Sequence, residues 1–159
     1  MRVASVAVLV FICSTIASGV QPASPKHAAS ESSFVGTWRL VSFTGARQQG
    51  AHPTGVIYYD STGHMAAQIA PDRARPSWPA NALPSPEQAR DAVSGYVAYF
   101  GTYEVDQRAR TVKHHREGAL NMFAVDLVRK YEFSGNGRLT LTPVEPENVG
   151  LQLVWERVR

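Results

Sequence analysis

The chain has 159 residues, of which 16 are Lys or Arg and 13 are Asp or Glu, giving a formal charge of +3. That excess is small and scattered, with no run of Lys or Arg, which excludes the basic patch that nucleic-acid binding needs. A single cysteine, Cys13, excludes an internal disulfide framework.

The first segment is Arg2 followed by an apolar run over 3–12, interrupted at Ser5, and then small residues at Ser14, Thr15, Ala17, Ser18 and Gly19. This is the pattern of a secretory signal peptide, and the run is too short for a membrane span. Cleavage is expected near Gly19, with a cut after Ala17 as the alternative. Ile12 is too large for the position before a lipid-modified Cys13. The mature chain then has no thiol, and the protein is expected in the periplasm or outside the cell. Residues 20–33 lack periodicity and are expected to form a disordered spacer. A single domain is expected over 34–159, large enough to bury roughly two-thirds of its surface without staples.

Strand-like runs recur at 35–43, 55–59, 64–70, 97–105, 111–117, 127–134, 138–143 and 151–158. Turn signals separate most of them, which predicts an all-β sandwich or barrel. Residues 71–86 carry half of the ten prolines and must be irregular. Ser85, Pro86 and Gln88 then form a capping-box start, predicting a short helix over about 86–95. This loop and helix are candidates for a lid over one barrel mouth, or a plain surface connection.

Hairpin parity assigns faces, because side chains alternate along a strand. A four-residue turn at 60–63 pairs Tyr58 with Met65 and points Val56, Tyr58, Met65, Ala67 and Ile69 inward. It turns Ile57, Tyr59 and His64 outward. An odd loop of Gly135, Asn136 and Gly137 keeps Arg129, Tyr131 and Phe133 on the face of Leu139 and Leu141. A turn at 107–110 sets Asp106 opposite Thr111. Tyr99, Tyr103 and Val105 then share a face with Val112, His114 and Arg116, while Glu104 and Lys113 pair outside. Trp38, Leu40, Leu151, Leu153 and Trp155 complete the expected interior.

Cations among these residues are the informative part, since buried charge is costly unless paired or hydrated. Arginine presents a planar fork to a carboxylate, and tyrosine adds a hydroxyl. The candidate ligand-binding set is Tyr58, Met65, Tyr99, Tyr103, His114, Arg116, Arg129 and Tyr131. Each cation has a structural alternative. Arg129 sits at a rim and pairs with Asp126 or Glu147, Arg116 reaches solvent at a strand end, and His114 bonds Tyr103. His114 and Tyr103 are the candidates for general acid/base chemistry. His114 and His115 point to opposite faces of one strand and cannot readily share an ion, so no metal site is expected. No phosphate loop or nucleophile elbow is present, and no cofactor is expected.

The opening Phe34-Val35-Gly36-Thr37-Trp38-Arg39-Leu40 resembles the Gly-x-Trp strand of lipocalin-like proteins. Gly55-Val56-Ile57-Tyr58-Tyr59-Asp60, the run over 98–105, Val112-Lys113-His114-His115, the run over 127–133 and Leu153-Val154-Trp155-Glu156-Arg157 continue the likeness over about 34–158. Together they are similar to the small single-domain lipocalin-like proteins of bacteria and fungi. The resemblance implies an eight-stranded antiparallel up-and-down barrel with an interior cavity. It also implies that Arg157 caps Trp38 as a structural closure.

Three functions follow as expectations. The leading one is an exported barrel holding a small hydrophobic or aromatic, anionic ligand. The second is a cofactor-independent cyclase, isomerase or hydratase using the enclosed site. The third is a cell-envelope interaction module with a filled barrel, using an outer face around Tyr59, His64 and Phe100. A small molecule is the expected partner, with no nucleic acid and no membrane span after signal cleavage.

Overall fold

The computed structural model describes residues 32–45, 49–120, 126–135 and 137–159. The expected signal peptide, Cys13, nearly all of the expected 20–33 spacer and Asn136 lie outside the described residues. Eight strands follow in order: β1 (Gly36–Thr44), β2 (Thr54–Tyr59), β3 (His64–Ala70), β4 (Val97–Asp106), β5 (Thr111–Ala119), β6 (Leu127–Ser134), β7 (Arg138–Pro143) and β8 (Gln152–Arg157). Each pairs antiparallel with its sequence neighbours, and β1 pairs with β8, so the sheet closes into an up-and-down barrel. No helix among the described residues is long and apolar enough to cross a membrane.

Two of the three hairpin parities hold. Asp106 faces Thr111 and Tyr103 faces His114, with Glu104 opposite Lys113 on the outside, their side chains 3.9 Å apart. Ser134 faces Arg138 and Phe133 faces Leu139, which sets Tyr131 opposite Leu141.

The third parity is corrected. Tyr59, not Tyr58, pairs with Met65, so the β2–β3 loop is odd. The cause is local. The Asp60 carboxylate accepts from the Thr62 and His64 N–H groups, and the Asp60 N–H donates to the His64 carbonyl. Gly63 supplies the required left-handed conformation at φ 91°. One extra residue in the turn reverses every side chain of β2. Tyr58 is therefore 46% exposed and Val56 lies outside, while Ile57 and Tyr59 are buried. Tyr59 consequently has no place in the outer face expected of it, whereas Phe100 and His64 are exposed.

The two barrel ends differ in construction. One carries the short loops β2–β3, β4–β5 and β6–β7, together with the helical turn at 32–34. The other gathers the longer connections, including residues 71–96 with helix α1 (Pro86–Val93). Ser85 caps α1 through the expected reciprocal box with Gln88. The helix buries none of its residues. Arg73 holds the loop to it, bonding the Asp91 carboxylate at 2.7 Å and the Ser94 carbonyl at 2.9 Å.

Candidate functional site

The short-loop end is sealed from within. Phe34 is fully buried, with ring centroids 5.3 Å from Tyr59, 5.1 Å from Tyr131 and 4.9 Å from Phe133. Trp38 donates from Nε1 to the Phe34 carbonyl at 2.7 Å, fixing the entering chain against the first strand. Arg157 stacks 4.1 Å from the Trp38 ring centre and donates to the Val35 and Ser33 carbonyls at 2.5 and 2.6 Å. Gly36 makes room for it, since a Cβ there would stand 2.7 Å from Arg157 Nη1. The expected Trp38–Arg157 closure is present, and it also clamps the N-terminal segment.

Above this plug sits a buried polar chain. His114 is fully buried, with Nε2 2.8 Å from the Tyr59 hydroxyl and Nδ1 3.0 Å from the Tyr99 hydroxyl. The expected Tyr103–His114 hydrogen bond is therefore corrected, because Tyr59 and Tyr99 take both ring nitrogens. Tyr103 instead donates to the Asp60 carbonyl at 2.8 Å. Burial holds the His114 pKa well below the ordinary imidazole value, and the Arg129, Arg116 and His115 charges add to this. The imidazole is neutral at pH 7. Burial raises the Tyr59 and Tyr99 pKa values, so both phenols keep their protons.

A cavity of about 160 Å³ opens beyond this chain, toward the long-loop end. Its walls are apolar, built from Ile57, Ile69, Leu127, Leu141 and Leu153 with the rings of Phe43, Tyr99 and Trp155. Among the described residues, Arg129 and Asn148 are its polar lining residues besides Tyr99. Arg129 Nη1 and Trp155 Nε1 are buried with no hydrogen-bond partner. The expected Asp126 pairing of Arg129 is not made, because Asp126 bonds His115 Nδ1 at 3.0 Å. Glu145 Oε1 accepts from the Val128 N–H at 3.1 Å. Burial works upward on the Glu145 pKa, but backbone hydrogen bonds and the Arg129 charge outweigh it and hold the carboxyl ionised.

Of the eight expected ligand-binding residues, Tyr99 and Arg129 line the cavity. His114 stands one side chain behind it, linked through Tyr99. Arg116 is inside at 6% exposure, not at solvent, with its guanidinium 6.0 Å from the Tyr99 ring centre. Burial lowers its pKa, as does repulsion from Arg129. Met65 is core, and Tyr103 and Tyr131 pack around Phe34. Tyr58 is outside, for the reason given above. No residue of 71–95 lines the cavity, although its neighbours Ile69 and Val97 do.

Phe43, Ile57, Val97, Leu127, Pro143 and Asn148 line the cavity without having been expected there. Ile57 was lost to the parity error. Most of the others sit near strand ends or in a loop, where alternation no longer reports a face. Among the described residues, no three His, Cys, Asp or Glu side chains gather as a metal site.

The family description that matches this barrel is the lipocalin-like domain, over residues 35–158. The match covers most of the chain, and the chain belongs to the lipocalin-like domain family. No curated protein matches it. Family and cavity together support a ligand-binding barrel in general terms.

Proposed function

With membership of the lipocalin-like family as the premise, we propose that this barrel binds a single-ring organic anion, with the carboxylate of the ligand against Arg129. The carrying observation is the pair of buried donors, Arg129 Nη1 and Trp155 Nε1, left unpartnered among the lining residues of a mostly apolar cavity. A buried donor without a partner costs about 1–3 kcal/mol, more for a charged group, and an acceptor on the ligand removes that cost. The volume sets the scale of the ligand. A dry apolar cavity of about 150 Å³ accepts one benzene ring, whereas drug-sized ligands need about 300 Å³ or more.

Export to the periplasm or medium belongs to the same proposal, supported by Arg2, the apolar run at 3–12 and the small residues after it. The catalytic alternative is weaker, since His114 and Tyr103 are not lining residues. Of the hydrogen-bonded Tyr59–His114–Tyr99 chain, Tyr99 alone lines the cavity.

Calorimetric titration of the processed chain, whose first residue is expected to be Val20, tests the reading. Benzoate should bind with one-to-one stoichiometry and at least tenfold more tightly than benzamide, its neutral isostere. Arg129→Met should abolish that preference while leaving the barrel folded. Equal affinity for benzoate and benzamide, or no binding of either, would overturn the proposal.

A further inference from the structure

The hydrogen bonds around His114 fix the direction in which protons point. A neutral imidazole has one N–H donor and one bare acceptor, and each phenol has one proton to give. One of the two tyrosines must therefore donate to His114, and the other must accept from it. The tyrosine that accepts keeps its own O–H and needs a further acceptor for it.

The two tyrosines are not equivalent in this respect. Tyr59 is fully buried against the rings of Phe34 and Tyr103. Its hydrogen-bond partner is His114 Nε2. Were Tyr59 the acceptor, its own proton would be left in the packed interior without the second hydrogen bond it needs, an uncompensated buried donor. Tyr99 lines the cavity and has the guanidinium of Arg116 above its ring. A proton that Tyr99 does not give to His114 therefore has an acceptor available once a ligand enters, whereas Tyr59 does not line the cavity. The arrangement that leaves the surplus proton where a ligand can meet it is Tyr59 O–H to Nε2, Nδ1–H to the Tyr99 oxygen, and the Tyr99 O–H released toward the cavity.

Building on the anion-binding reading above, we infer that Tyr99 is a second anchor for the ligand carboxylate, its O–H oriented into the cavity by the buried Tyr59–His114 pair. Arg129 and the Tyr99 hydroxyl then serve the ligand's oxygens. Tyr59 and His114 are positioning residues that touch no ligand. The site is thereby selective for a group that accepts from a neutral O–H and a guanidinium together, which suits a carboxylate. A ring bearing a cation or only donor groups would leave both anchors unpaired.

Two measurements test this separately from the anion-binding reading. Nitrogen-15 NMR of the imidazole in the intact, ligand-free protein should show His114 Nδ1 protonated and Nε2 bare. The reverse tautomer would overturn the inference, whether or not any anion binds. In titrations, Tyr99→Phe should weaken benzoate roughly tenfold or more, as expected for a hydrogen bond to a charged group. The same variant should change toluene affinity less than threefold, because toluene has no acceptor to lose. Unchanged benzoate affinity in Tyr99→Phe would also overturn the inference. If His114 carries its proton on Nδ1 but benzoate does not bind the unmodified protein, the carboxylate assignment falls, and with it the role of Tyr99 as its anchor.

Discussion

The sealed end and the cavity end of this barrel are made from the same eight strands and follow opposite rules. At the sealed end, rings fill the volume and the principal polar groups are matched: Trp38 to the Phe34 carbonyl, Arg157 to Val35 and Ser33, Tyr103 to Asp60. At the cavity end, aliphatic walls enclose about 160 Å³, and Arg129 and Trp155 keep buried donors unmatched. Stability is concentrated where packing is complete, and recognition where it is left incomplete. Substitutions at the sealed end should therefore act mainly on folding, and those at the cavity end mainly on ligand affinity.

The sharpest way to break that division is Phe34→Ala. Phe34 is fully buried and contacts Tyr59, Tyr131 and Phe133, so truncation leaves a large void that the closed barrel cannot easily collapse. A loss of about 3–5 kcal/mol is expected from urea denaturation. Benzoate affinity of the folded fraction should hardly move. A loss below 1 kcal/mol would show that the plug rests on the barrel without stabilising it.

A smaller effect is expected at the clasp. Arg157→Leu removes the cation from the Trp38 face and leaves two backbone carbonyls without their donor. The expected loss is about 2–3 kcal/mol. Limited proteolysis should report it as well, with cleavage near 32–35 once the segment is no longer clamped.

How far each end was legible in the sequence follows from the same contrast. Trp38 and Arg157 were legible as a pair through the family resemblance, and the closure of β1 on β8 brings them together. Tyr103, His114 and Arg116 were placed inside because the turn at 107–110 has a simple parity. Tyr58 and Tyr59 were exchanged because the turn built on Asp60 and the left-handed Gly63 adds one residue that no alternation pattern reveals. That single slip also hid Tyr59 as one of the two partners of His114. Phe34 was read as the start of the fold, and only tertiary contact shows it to be a plug. The cavity was least legible. Phe43, Val97, Pro143 and Asn148 reach it from strand ends and a loop, where position depends on how the barrel curves.

The gentlest probe of the boundary between the two ends is pH, because His114 sits where sealed packing gives way to the cavity. Burial, then the charges of Arg129, Arg116 and His115, depress its folded-state pKa well below the unfolded value of about 6.5. Above about pH 6.5 neither state binds the proton, and His114 contributes no pH dependence. As pH falls below that value the unfolded chain takes up a proton that the folded barrel refuses. Stability is then lost at up to about 1.4 kcal/mol per pH unit, until the folded pKa is reached. Asp60 and Glu145, whose folded pKa values are also lowered, add losses of the same sign only once pH approaches the ordinary carboxylate range of about 4. Between about pH 6.5 and 4.5 His114 therefore contributes a downward slope of its own. Urea denaturation at half-unit intervals should show a decline beginning near pH 6.5, and His114→Gln should flatten it. A profile that stays level to pH 4.5 would mean that the imidazole charges inside the barrel, and that the boundary layer is wet.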